Sequence, residues 1–356
     1  MTTTPLKVLF LFSGATNRRK ILDEVAEGKN ADTALRGMNH IPGAEFLDVE
    51  EAVRAILPAW IYHLVPWQMR SMLLYRQVRR YDVVVAQDDL PLGYLASKTT
   101  RIRWIYIAVN SSILMRRHVR HPLRLAFLKA FWKSFFRIAC LSTEQLEDFA
   151  RAGIPRERLA FVPFGIDADF FTTIDATRKE EFIMSVGRDL GRDLGRDYAT
   201  LLETAERSNH PFLIIAAHKN LPEGTSLPPN VSVRYNLPLA EVRDLYARAR
   251  LVVIASKDAD VPEGSDCSGQ TAILDALAAG KSVIATRRPW MADYFTFGEE
   301  LVAVEPYDAT ALATEIERLW NAPQERSRLA QAGRAKVRET YTTRALARAL
   351  EHIASS

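Results

Sequence analysis

What most limits the folds open to this chain is a series of short strand-like runs, mostly continuous in apolar residues, recurring along its length with helix-patterned stretches between them. In the first half these are KVLFLFSG (7–14), YDVVVAQDD (81–89), RWIYIAVNSS (103–112), RIACLS (137–142) and LAFVPFGID (159–167). In the second they are EFIMSVGR (181–188), PFLIIAAH (211–218), VSVRYN (231–236), RLVVIAS (250–256) and KSVIAT (281–286). Runs of this kind suit strands buried on both faces of a parallel sheet. Between them, DYATLLETAERS, LAEVRDLYARA and TAILDALAAG are helix-like, and STEQLEDFARAG has a cap at Ser142 or Thr143 and a stop at Gly153. Strand–helix alternation implies right-handed crossovers, so the expected class is α/β with doubly wound parallel sheets.

A chain of 356 residues exceeds one ordinary domain. The texture turns polar after Asp167 and strands resume near Glu181, which sets the expected domains at 1–167 and 178–340. The only cysteines, Cys140 and Cys267, are far apart and lack metal-ligand spacing, so neither a disulfide framework nor a zinc site can be built from them. The N-terminal apolar run reads as a first strand rather than a signal peptide, and nothing approaches the roughly 20 apolar residues that span a bilayer. A cytoplasmic location is the expectation.

Charge is distributed unevenly. Between Leu90 and Thr143 there is no acid, while Lys98, Arg101, Arg103, Arg116, Arg117, Arg120, Arg124, Lys129, Lys133 and Arg137 all fall there. One sign over such a length points to an anionic partner. RLAFLKAFWKSFFR places apolar residues at helical spacing among cations, so 98–137 is a candidate for peripheral contact with an anionic membrane at its inner face, or a core-facing helix with a solvated basic side. No nucleic-acid-binding module is recognisable.

Four segments, in order, resemble the retaining glycosyltransferases of the GT-B fold, family 4 in particular: RLAFVPFGIDADFF, FIMSVGRDLGRDLGRDYATLLET, LAEVRDLYARARLVVIAS and SGQTAILDALAAGKSVIAT. PYDATALATEI and RETYTTRALARAL fit as well, so the resemblance covers most of 140–350. It implies two Rossmann-like domains, acceptor-side first and donor-binding second, with the last helix, 341–356, crossing back to the first. It also implies transfer of a sugar from a nucleotide-sugar, a UDP-sugar before a GDP-sugar, to a hydroxyl acceptor with retention at the anomeric carbon. No cofactor and no metal are required by that chemistry.

By the same resemblance, Arg188 and Arg196 are the cations that stabilise the departing diphosphate, with Arg192 between them. Ser268, Gly269, Gln270 and Thr271 open a helix whose N–H groups suit phosphate or sugar hydroxyls. Asp275 corresponds to the family's second acidic residue, which holds ribose hydroxyls. The first acidic position is occupied by Cys267, a departure that leaves Asp266 or Glu263 as substitutes. A second departure lies where members carry a His after the strand RWIYIAVNSS; here Asn110 stands. Gly14, after the first strand, is a candidate donor contact, and Asp88 and Asn110 are candidate acceptor-side residues. The Asp258–Ala–Asp260 triplet reads as a loop rather than a metal pair. The rival functions are a catalytically silent GT-B scaffold, favoured by Cys267 and Asn110, and a sugar-nucleotide epimerase of the same fold.

Overall fold

The computed structural model describes residues 6–14, 16–172, 182–187, 195–218, 221, 224–261 and 265–356. Within them the chain divides into two compact units. The first comprises the chain up to Glu24, Asp32–Phe164 and Arg344–Ser356; the second comprises Val25–Ala31 and Gly165–Thr343.

The first unit is built on strands β1 (Val8–Phe12), β2 (Glu45–Asp48), β3 (Val83–Ala86), β4 (Arg103–Ala108), β5 (Arg137–Cys140) and β6 (Leu159–Phe161). They form one parallel sheet in the order β2-β1-β3-β4-β5-β6. The second unit repeats the plan with β7 (Ile183–Gly187), β8 (Phe212–Ala216), β9 (Val231–Tyr235), β10 (Leu251–Ile254), β11 (Val283–Thr286) and β12 (Val302–Val304). Its parallel order is β12-β11-β10-β7-β8-β9. The two doubly wound sheets expected from the sequence are therefore present.

Position within each sheet explains which strands the sequence revealed. Every residue of β1, β3, β7, β8, β10 and β11 is buried. Apart from the buried Ser185 and Thr286, such strands are made of apolar residues and glycine, because helices cover both faces. The edge strands β2 and β12 are short and partly exposed, and neither was anticipated from the sequence. Helix ends follow local chemistry: Ser142, rather than Thr143, caps helix Thr143–Arg151 by accepting the Gln145 N–H at 3.2 Å, and Gly153 takes the left-handed conformation beyond its end.

Helix Thr343–Ser355 belongs to the first unit and buries Leu346, Ala347, Leu350, Ile353 and Ala354. Its end is held there by Arg103, whose Nη1 donates to the Ala354 carbonyl at 2.5 Å. Besides the short excursion at Val25–Ala31, the chain passes between units after Phe164 and after Thr343. Beside them, within the second unit, the Ile166 N–H donates to the Tyr341 carbonyl at 2.9 Å and the Thr343 N–H to the Ile166 carbonyl at 3.0 Å.

In each sheet the chain leaves the first strand in one direction and returns on its other side, between β1 and β3 and between β7 and β10. Connections diverge there, opening a crevice at the carboxyl ends of the two strands where doubly wound proteins bind ligands.

Candidate functional site

The crevice between β7 and β10 is organised by a short antiparallel pairing. Residues 195–197 run against 255–257: the Lys257 N–H donates to the Gly195 carbonyl at 2.8 Å and the Asp197 N–H to the Ala255 carbonyl at 3.2 Å. Asp197 then caps helix Tyr198–Glu206, accepting the Thr200 N–H at 3.1 Å. Arg196, between pairing and cap, has little backbone freedom. Its guanidinium is buried, with Nη1 donating to Ser256 Oγ at 3.5 Å. The Nε of Arg196 has no hydrogen-bond partner among the described residues.

Opposite lies the start of helix Gln270–Ala278. Gly269 caps it with φ 88°, a left-handed conformation that favours glycine. A Cβ at that position would lie 3.1 Å from Arg196 Nη1 and 3.3 Å from Ser256 Oγ. The absence of a side chain thus lets the guanidinium approach the helix entrance, where N–H groups and the positive end of the dipole are exposed to a ligand. The close fit continues at Gly187, where a Cβ would fall 2.2 Å from the Tyr198 hydroxyl, which donates to the Gly187 carbonyl at 3.4 Å.

The structure brings Arg196 and Gly269 together and sets Asp266, Cys267, Ser268, Gln270 and Thr271 along one turn beside them. Ser268 and Gln270 are buried, Cys267 is half-buried and Thr271 is exposed. Asp275 lies farther along the same helix, buried among Ala272, Ile273, Leu274, Ala276 and Leu277. Arg188, Arg192 and Glu263 lie outside the described residues. The Asp258 N–H donates to the Tyr307 hydroxyl at 3.1 Å.

Sequence reasoning missed Arg288. This buried side chain follows β11 and donates through Nη1 to the Lys257 carbonyl and through Nη2 to the Ser265 carbonyl at 3.1 Å. It ties the loop leaving β10 to the loop entering helix Gln270–Ala278. The pair of cations, Arg287 and Arg288, after the apolar run KSVIAT was the available signal.

The first unit has a corresponding crevice between β1 and β3. Ser13 follows β1 and donates its hydroxyl to Asp89 Oδ2 at 2.5 Å; Asp89 stands just before helix Leu90–Thr99 with φ 62°. Burial pushes the Asp89 carboxyl up to about 6 against the hydrogen bond from Ser13, and the charge of Asp88 adds to the rise. Gly14, with φ 108°, turns the chain away from the end of β1. Asp88 is half-buried next to Asp89, and Asn110 is exposed as the residue preceding helix Ser111–His118. The acid that Ser13 holds at this crevice, and whose pKa is raised, is Asp89, which sequence alone did not separate from its neighbour.

Comparison with known proteins places this geometry. Residues 192–352 match a family model described as Glycosyl transferase-like. That stretch is somewhat under half of the chain. It contains Arg196, the 266–271 turn, Asp275 and Arg288. No curated protein matches the chain. Among solved structures, HepE from Anabaena in complex with UDP-glucose superposes with a TM-score of 0.72 at 16% identity, covering 99% of this chain and 100% of that one. A glycosyltransferase from Rickettsia africae superposes with a TM-score of 0.69 at 15% identity, covering 99% and 98%. Sucrose-phosphate synthase from Thermosynechococcus elongatus gives 0.68 at 16% identity, covering 98% of each chain. The fold is GT-B.

Proposed function

We propose that the chain is a glycosyltransferase that moves a sugar from a nucleotide-sugar, a UDP-sugar before a GDP-sugar, to a hydroxyl acceptor with retention of configuration. The observation that carries this reading is the buried Arg196 guanidinium beside the glycine-capped entrance of helix Gln270–Ala278, at the β7/β10 crevice of a glycosyl transferase-like domain. A diphosphate is the ligand that a fixed guanidinium and free helix N–H groups suit together. The UDP-glucose bound to HepE supports the same ligand class.

In this reading the bond between the anomeric carbon and the terminal phosphate oxygen breaks, and the acceptor oxygen bonds to that carbon on the same face. The acceptor proton passes to the departing diphosphate. Arg196 and Arg188 stabilise the charge that grows on the diphosphate, which is work a metal need not do, and Arg192 is a donor contact between them. The 268–271 turn orients phosphate or sugar, Asp275 holds ribose hydroxyls, and Asp266 or Glu263 replaces the acid absent at Cys267. The first unit is the acceptor side, with Asp88 and Asn110 as its acceptor-side residues and Gly14 as a donor contact.

Thermal shift with UDP, GDP, ADP and dTDP, with and without magnesium, tests the assignment. Stabilisation by one nucleotide, lost in Arg196→Ala and Asp275→Ala, supports it. Indifference to all four leaves the silent scaffold as the better reading. Consumption of the donor sugar without acceptor, with nucleotide retained on the product, identifies an epimerase. NMR of the product's anomeric centre decides retention.

A further inference from the structure

The helices over the first unit leave large apolar side chains in solvent where acids are almost absent. Trp60, Leu64 and Trp67 are 71%, 73% and 67% exposed on the segment running from helix Ala59–Tyr62 to helix Trp67–Arg70. Leu123 and Phe127 are 77% and 65% exposed on helix Pro122–Ser134. The two sets are joined by packing: Trp67–Arg70 packs on helix Leu90–Thr99, which packs on Pro122–Ser134. Tyr94 and Phe131 meet edge to face across the second contact with ring centres 5.4 Å apart.

These are ordered positions on folded elements. Tyr62 is buried between the guanidinium groups of Arg54 and Arg70, 4.2 and 3.9 Å from its ring centre, which fixes the segment that displays Trp60 and Trp67. On helix Pro122–Ser134, Trp132 is fully buried, so that helix already has a core face. Leu123 and Phe127, four residues apart, form a second stripe on the side left in water.

The charge around them is mostly positive, with Glu50 paired to Arg70 at 3.7 Å. From residue 52 to 143 the sequence holds fifteen Lys and Arg against three acids, Asp82, Asp88 and Asp89. Asp82 accepts the Lys7 N–H at 2.9 Å and Asp89 accepts the Ser13 hydroxyl at 2.5 Å. Arg117, Arg120 and Arg124 are exposed around the helix start that carries Leu123. Burial and the nearby charges of Arg124, His121 and Arg117 lower the pKa of His118, so these cations stand close enough to repel one another. No described helix is long and apolar enough to cross a membrane.

We infer that this face of the first unit docks on an anionic lipid bilayer, with Trp60, Leu64, Trp67, Leu123 and Phe127 entering the headgroup boundary and Arg117, Arg120 and Arg124 meeting lipid phosphates. Exposed tryptophan and phenylalanine flanked by arginine match an interface that is apolar on one side and negatively charged on the other. The inference stands apart from the transfer reading, since flotation requires no donor, acceptor or turnover.

The test is flotation of the full chain with phosphatidylcholine vesicles and with vesicles of phosphatidylcholine mixed with phosphatidylglycerol. The protein is expected to float with the anionic vesicles only, and less as salt is added. Trp67→Ser, Phe127→Ser and the pair Arg120→Gln with Arg124→Gln should each lower the partition by about tenfold or more at unchanged circular dichroism. In Trp60→Phe, brominated phosphatidylcholine in the anionic vesicles should quench Trp67, the remaining strongly exposed tryptophan among those described. Three outcomes overturn the inference: no flotation with anionic vesicles at low salt, flotation indifferent to Trp67→Ser and Phe127→Ser, or a concentration-dependent dimer that Trp67→Ser abolishes. The last would assign the face to a second copy of the chain.

Discussion

A Cβ on Gly269 would stand 3.1 Å from Nη1 of Arg196, so a side chain at 269 would press the cation away from the helix cap by a few tenths of an ångström. Gly269→Ala should carry two costs. The left-handed backbone costs about 1–2 kcal/mol for an L-residue, and the guanidinium must retreat from the helix entrance. Gly298→Ala separates them: its φ is 85° and a Cβ there meets nothing within 4 Å. Both variants should melt earlier, but only Gly269→Ala should lose the thermal shift produced by nucleotide.

On the transfer reading, Arg196→Ala should lower kcat by about 10²–10³-fold, the usual effect of removing one preorganised stabiliser of developing charge. Arg196→Lys keeps the charge as a point and should recover part of the loss. Steady-state rates with the preferred donor check both. A rate unchanged in the alanine variant would remove Arg196 from the site.

Asp89 makes stability depend on pH. Its carboxyl is raised from the ordinary 3.8 to about 6, so between those values the folded chain binds more protons than the unfolded one. Stability from this group is therefore present below about pH 4 and falls as pH rises through about 6, by about 3 kcal/mol in all. Asp89→Asn can still accept from Ser13 and should flatten the pH 4–7 portion of the denaturant-melt profile. A parallel profile in the variant would assign that slope to other groups.

Gly165→Ala should be among the most damaging small changes. The added carbon would lie 2.1 Å from the Thr342 carbonyl oxygen and 2.9 Å from the Thr343 nitrogen, both backbone atoms that cannot rotate away. The pairing of Ile166 with Thr342 must open to admit it. A loss of about 3 kcal/mol in urea unfolding is expected, at the upper end for overpacking. Gly43→Ala, with φ 73° and open space around it, should cost only its backbone strain.

Much of the fold was legible in the sequence because buried strands leave no choice of composition. VLFLF, VVVA, FLIIA, LVVI and VIAT have helices over both faces, so solvent never interrupts them with polar residues. Edge strands escape that rule, which is why EFLD and VAV passed unnoticed. Local capping was readable to within one residue at Ser142 or Thr143, since a cap needs only the next turn of its own helix.

Contact between distant segments was decided by tertiary structure alone. Arg196 and Gly269 are 73 positions apart and Ser13 and Asp89 are 76 apart; each pair meets because strand order brings a first strand beside one formed much later. The choice of Asp89 over Asp88 as the partner of Ser13, and the linking role of Arg288, arose in the same way. Neighbouring residues of like type differ only in which way the folded backbone points them. Sequence by itself thus determined the strands, the helices and the parallel sheets, through composition and local hydrogen bonding. Which side chains share a crevice was settled by topology, because burial and electrostatic environment exist only once the sheet has been assembled.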